Sequence, residues 1–435
     1  MLLGSRDVSV PVRAGRCQRC ADRVWREGRP IELSPVSTPT EPPSDAAPRL
    51  RHSGFAVAAL FLVNGATFSN WLPRIPEIRD NLGIGNAGLG ATLLGGGLGG
   101  IVGSLLVARA MDRLGSRRLL TIAATALSIG MPLIAFAPSA PTLLILLTTL
   151  GALDVCNDVA MNAQGVTVQQ QSGRSIMNRL HAMWSLGFTG GAVLGSLASA
   201  ARVDIRVHLT IVGAALLATV WSVRRWLLRH DPPPVPLAVA AHPNEAGPRR
   251  PRAVSITTVA MAFAAMAAVS LEVLPNDWSA VLMRDVFDAG RLSGLGTVAC
   301  AGAMLVGRLG GDHVLERIGE RRLLFGALWM VALGAVITVA APVTAVALLG
   351  LVVWGLGLSV VFPQLYATAA RLPGTSAGAG LGSMLLGQRS GAMLTAVSTG
   401  ALAQWQSLRV AFGVVAVVAF AILAVTLRRA AAAAT

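Results

Sequence analysis

The sequence predicts an all-α integral membrane protein with twelve transmembrane helices in two pseudo-symmetric six-helix bundles. Three observations carry that prediction. The chain is 54% hydrophobic and only 13% charged, with a mean hydropathy of +0.63, whereas a soluble chain carries about 25% charged residues. Its apolar residues fall in continuous runs of about 20, the length of a helix that crosses a bilayer. They lack the alternation of a barrel strand, and in lipid only helices and closed barrels satisfy their own backbone. Finally, one short basic stretch occurs twice, at Val102 to Leu120 and Val306 to Leu324, 204 residues apart with 9 of 19 positions identical. That is an internal duplication, and each copy reads as the end of one apolar helix, a charged turn and the start of another.

The net charge of +15 comes entirely from arginine, 36 residues with no lysine. A soluble protein this basic would suggest nucleic acid. Here the arginines lie between apolar runs, so the partner they imply is the lipid bilayer, through the positive-inside rule. With the N-terminus inside, the inner tails and loops hold 27 arginines and the outer loops 7. This places both termini in the cytoplasm, on a bacterial inner (plasma) membrane. The four cysteines, Cys17, Cys20, Cys156 and Cys300, make no disulfide framework, and the lone Cys17-x-x-Cys20 lacks a second ligand pair. No metal site and no cofactor is expected.

In chain order, residues 1–52 form an Arg/Pro-rich tail without an apolar run, read as a disordered cytoplasmic segment. Residues 53–228 form the first bundle, with spans near 54–72, 87–108, 119–137, 141–164, 177–200 and 207–227. A cytoplasmic linker, 229–252, contains Asp231-Pro-Pro-Pro-Val-Pro and Arg249-Arg250-Pro-Arg252; polyproline stiffens it. Residues 253–429 form the second bundle, with spans near 254–274, 292–311, 323–341, 343–369, 378–403 and 410–427, before a short tail at 430–435. Gly95, Gly96 and Gly97, and the four-spaced Gly187, Gly191 and Gly195, predict close helix crossings, where association in lipid rests on packing.

No Walker A sequence is present, and the Gly95–Gly100 run lies inside an apolar helix with no strand before it, so phosphate cradling and an enzymatic role are not supported. What carries information is the set of polar residues inside predicted spans, where they are expensive. The fourth span holds Asp154, Asn157, Asp158, Asn162 and Gln164. Asp154 and Asp158 are four apart, stacked on one helix face with Asn162 continuing the stripe. Two carboxylates this close in a low dielectric repel, which suits a proton-coupling group; a hydrogen-bonded packing stripe is the rival reading. Glu272 in the seventh span is the third coupling candidate. Asn64, Trp71, Asn162, Asp277, Trp278, Gln364 and Arg389 are candidates for a solute cavity. Trp71 and Trp278 occupy matching places in the two halves, as platforms for a ring-shaped solute or as interfacial belt residues. Arg389 needs an anion, from Asp154, Asp158, Glu272 or a solute, and His181 at a helix start reads as a solvated histidine.

The duplicated turn resembles motif A of the major facilitator superfamily: Asp112, Arg113, Gly115 and Arg117 match it, with Ala108 in place of the leading glycine and Ser116 in place of an arginine. The resemblance runs from about Ser53 onward. Asn64-Gly65 to Trp71, Arg74-Ile75-Pro76, Asp158 with Met161-Asn162, and Asp277-Trp278 are similar to the MosC-like branch, which includes rhizopine-transport and YbjJ-like permeases. In the eleventh helix, Gly387-Gln388-Arg389-Ser390-Gly391 departs from the aromatic and proline expected there. The resemblance implies alternating access, with helices one, four, seven and ten around a central cavity. It also implies gating by Asp112, Arg113, Gly115 and Arg117 in the first copy and by Asp312, Glu316, Arg317 and Gly319 in the second. Asp112 would meet the N-terminus of the eleventh helix, whose dipole attracts a carboxylate, and Asp312 or Glu316 would serve the fifth helix likewise. The expected function is that of a monomeric secondary transporter for a small polar solute, sugar- or cyclitol-like, coupled to protons. A multidrug or metabolite exporter, and a non-transporting receptor or scaffold, are the alternatives.

Overall fold

The computed structural model describes residues 46–229, 256–370 and 377–432. Residues 1–45 of the tail expected at 1–52, residues 230–252 of the linker expected at 229–252, and residues 433–435 lie outside the described residues, whereas residues 46–52, expected in the disordered tail, form the first turns of a helix. Everything described is helix or short connection. Helix α1 (Ala46–Ser69) leads through a 3-10 turn (Leu72–Arg74) into the short α2 (Ile75–Asn81), with Pro73 and Pro76 at positions where a helix start needs no N–H. The first half continues with α3 (Asn86–Leu133), α4 (Ala140–Ser172), α5 (Met177–Ala200) and α6 (Ile205–Val223). The second half comprises α7 (Ile256–Asp285), α8 (Leu295–Ile318), α9 (Glu320–Ala340), α10 (Thr344–Ala370), α11 (Ala377–Trp405) and α12 (Leu408–Ala432).

Among the described residues nine stretches are long and apolar enough to cross a membrane, fewer than the twelve expected. Two physical reasons account for the difference. Helix α3 is continuous through two expected spans and counts once, although it turns sharply at Gly115 into two arms. Helices α5 and α11 are 24 and 29 residues long but rich in glycine, serine and threonine, and α11 also carries Gln388 and Arg389, so neither is apolar enough to count.

The duplicated stretch folds the same way twice. Gly115 has φ 70° and ψ 163°, and Gly319 has φ 79° and ψ 160°. That backbone region is open essentially to glycine alone, so the two turns need these two residues. We call the end of the molecule that carries them the turn end, and the opposite end, which carries α2, the far end.

Glycines set how closely the helices cross. A Cβ on Gly95, Gly99 or Gly103 would lie 2.6, 2.0 or 2.6 Å from a carbonyl oxygen of α4. On α5, a Cβ at Gly187 would lie 2.1 Å from the Leu62 carbonyl of α1, and one at Gly195 2.3 Å from that of Asn70. The matching pair in the second half, Gly387 and Gly391, brings α11 onto α7 in the same manner, with 2.0 and 2.3 Å to the Ala262 and Met266 carbonyls. The predicted stripe of small residues therefore does the packing expected of it. The halves meet along two seams, α3 against α11 and α5 against α8.

Candidate functional site

The polar residues predicted inside the spans are brought together at mid-height, where the halves face one another. On the first-half side, the Asn64 amide donates to Asp154 Oδ1 at 3.0 Å, and Trp184 Nε1 donates to Asn64 Oδ1 at 2.7 Å. Because indole is only a donor, the Asn64 oxygen must face Trp184 and its nitrogen the carboxylate, which fixes the amide's orientation. One turn along α4, Asn162 Nδ2 donates to Asp158 Oδ1 at 2.9 Å and to the Asp158 carbonyl at 2.9 Å. Asp158 is exposed, so the stripe opens onto solvent-reachable space. Gln164 leaves this group: fully buried, it bonds Ser116 Oγ at 2.6 Å and both backbone groups of Leu228, tying α4 to the turn and to the chain beyond α6.

Arg389 reaches this stripe from the other half. Its side chain crosses α3 at Gly100, where an added Cβ would lie 2.8 Å from Cδ and Nε. Its charge acts on both Asp154 and Asp158 without a direct ion pair. Glu272 has a different partner from any expected. Arg308 of α8 lies 3.6 Å from its carboxylate, donates to Ser185 Oγ of α5 at 3.1 Å, and stands 6.0 Å from the Trp184 ring centroid. The second half thus sends both arginines across its seams, Arg389 toward the α4 carboxylates and Arg308 to Ser185 of α5. Tyr366, 40% exposed, hydrogen-bonds Gln388 at 3.3 Å beside them, while Gln364 is buried.

Of the paired tryptophans, Trp278 is fully buried and Trp71 nearly so, so neither ring offers an open face to a solute. Trp71 lies just past the end of α1, beside Pro73, whereas Trp278 lies within α7, three residues beyond the internal Pro275. Asp277 is half-buried and makes no hydrogen bond or ion pair among the described residues. His181 is exposed and edge-on to Phe61 at 5.3 Å.

The residues expected to gate are largely exposed. Asp112, Arg113, Glu316 and Arg317 are exposed, and neither Asp112 nor Glu316 makes a hydrogen bond or ion pair among the described residues. The contact expected of Asp112 with the start of α11 is not made among the described residues. On the α3–α11 seam, the close glycine approaches run from Gly90 to Gly100, opposite Gly400 to Arg389. No hydrogen bond or ion pair among the described residues joins the halves on the turn side of Arg308. Arg117 instead donates to the Arg224 carbonyl within its own half at 3.4 Å. The side chain of Asp312 lies outside the described residues.

The far end is closed by charge. Arg79 of α2 holds both oxygens of Asp285 at the end of α7, and Arg284 holds Asp80 at 2.5 Å. Two crossed ion pairs therefore bridge the halves.

The family-wide sequence profile of the Major Facilitator Superfamily matches residues 57–387. This chain belongs to the Major Facilitator Superfamily. It is 27% identical over 369 residues to an uncharacterised MFS-type transporter of Yersinia pestis, spanning 84% of this chain and 92% of that one. It is 26% identical to membrane protein MosC of Rhizobium meliloti over 327 residues, 75% of this chain and 77% of that one. Among solved structures, the nucleoside transporter NupG superposes with a TM-score of 0.64 at 15% identity, covering 86% of this chain and 98% of that one. A bacterial homologue of the lysosomal transporter Spinster, in an inward-facing and occupied conformation, gives 0.64 at 15% identity, with 88% and 97% covered. At that identity the likeness is one of fold.

Within this superfamily fold, three functional contacts were missed from sequence. Arg308 carried a signal, since it is a charge inside an apolar span like Glu272. The crossed pairs also had one: the dipeptide Arg-Asp occurs at 79–80 and at 284–285, 205 residues apart. Trp184 had none, because its partner Asn64 lies 120 residues away on another helix.

Proposed function

We propose that this superfamily transporter moves a small polar solute of the sugar or cyclitol type by alternating access, driven by protons. The observation that carries the reading is the stacked pair Asp154 and Asp158 on α4, facing Arg389 of the opposite half across the seam at Gly100. Ionised, the carboxylates attract Arg389 and hold the halves together at mid-height. Protonated, they release it, so one chemical event changes the attraction between the parts that must rock. Asn64, Trp184, Glu272 and Arg308 supply donors and acceptors around the same level, a set that fits hydroxyl-rich solutes. The arginine distribution supports placing the turn end in the cytoplasm of the inner membrane. On that placement, the closed far end and separated turn end describe an inward-facing state.

The test is a proteoliposome screen of sugars, cyclitols and nucleosides, run with and without a pH gradient. The expected result is flux of one solute class that rises at least tenfold with the gradient. Solute flux indifferent to the gradient would overturn the proton coupling, and absence of any flux for polar solutes would overturn the solute class.

A further inference from the structure

At the turn end, away from the central residues, a cavity of about 580 Å³ lies between the second arm of α3 and the chain following α6. Four arginines line it, Arg117, Arg118, Arg224 and Arg229, together with Leu114 and Ile122 and no carboxylate. None of the four makes an ion pair among the described residues. Two of them, Arg117 and Arg118, open a helix just after the turn at Gly115, the end where the backbone dipole already favours negative charge. The second copy of the turn is built differently, with Glu320 at the equivalent helix start, where Ser116 stands in the first copy. The first copy thus concentrates positive charge with no carboxylate among the described residues that line the cavity. Two of the cations are also held in place, because Arg117 bonds the Arg224 carbonyl at 3.4 Å and Arg224 stacks over the Trp221 ring at 4.1 Å.

We propose that this cavity binds the phosphate of an anionic phospholipid. Guanidinium groups match phosphate oxygens in pairs, and basic pockets between helices near a membrane surface take lipid headgroups in this way. The source is assigned to lipid by the walls: Ile122 is 53% exposed and Trp221 51% exposed. These apolar faces beside the arginines suit acyl chains and the headgroup boundary, whereas a soluble phosphate ion needs neither. The site is independent of which solute is carried.

The experiment uses the full chain in nanodiscs and measures retention of spin-labelled phosphatidylglycerol against spin-labelled phosphatidylcholine. The wild type is expected to prefer phosphatidylglycerol at least fivefold, and R118Q/R229Q to lose that preference. R113Q, which changes an exposed arginine of the same turn outside the cavity, is expected to keep it. R118K/R229K, which preserves the charge, shows whether a loss in the glutamine variant reflects misfolding: it is expected to fold alike and to retain part of the preference. An unchanged preference in R118Q/R229Q overturns the site. Full displacement of the labelled lipid by millimolar inorganic phosphate overturns the assignment to lipid.

Discussion

The far end and the turn end of this molecule are built from the same materials and behave oppositely. At the far end, Arg79–Asp80 and Arg284–Asp285 form two crossed ion pairs, backed by the buried Arg74, which bonds Glu77 and the Val203 carbonyl. At the turn end, Asp112–Arg113 and Glu316–Arg317 are also consecutive acid–base pairs, yet all four are exposed. The difference shows what a duplicated pair of opposite charges can do at two ends of one chain. Under a pseudo-two-fold, a dipeptide of opposite charges is complementary to its own copy, as at an isologous interface. Whether the copies meet depends on which way the halves lean. At the far end the complementary charges are paired, and at the turn end none is paired among the described residues.

The largest effect should come from the level between the ends. Asp154→Asn with Asp158→Asn is expected to abolish pH-gradient-driven flux in proteoliposomes while the protein still inserts and purifies as a monodisperse species. Gradient-driven uptake at wild-type rate would break the link between the carboxylates and the two ends.

Next comes a direct assault on the far end. Asp285→Arg sets an arginine against Arg79 and should raise far-end cysteine labelling about tenfold, with recovery in the Arg79→Asp/Asp285→Arg exchange. The milder Asp80→Asn/Asp285→Asn removes attraction only. With about 0.5 kcal/mol for each partly exposed pair, it should raise labelling roughly fivefold. If the exchange does not restore protection, the pairs are incidental to closure.

A smaller effect is expected at the turn end. Asp112→Ala removes a side chain that bonds nothing in this state, so thermal stability should shift by less than about 0.5 kcal/mol. If Asp112 gates as the resemblance implies, its loss should bias labelling further toward an open turn end, by about twofold, and a shift toward closure would contradict the contrast drawn between the ends. Smallest of all, deletion of residues 1–45, which contain no apolar run, should leave solute flux unchanged in reconstituted protein.

Much of this was legible in sequence because it is local. The turn glycines, Gly115 and Gly319, follow from the repeat, and their matching φ and ψ show that like sequence gave like backbone. The four-spaced glycines of α5 reported a crossing through their spacing alone. The stacking of Asp154 over Asp158 needed only helical periodicity. The partners did not follow from such rules. Glu272 was without an assigned partner until α8 placed Arg308 beside it, and Gln164, grouped with the central carboxylates by its position on α4, turned out to anchor Leu228 and Ser116. Trp71 and Trp278 matched in sequence position, but their burial depends on what α1 and α7 pack against.

What the sequence determined by itself is the membrane setting, the helices, the duplication and the supply of charges, since hydropathy, glycine conformation and helical period act over a few residues. The tertiary structure alone decided which charges pair. Arg79 and Asp285 stand 206 residues apart, and Arg389 lies more than 200 residues from the carboxylates it faces. Coulomb attraction falls with distance in space, and that distance is set by how two packed halves lean on each other.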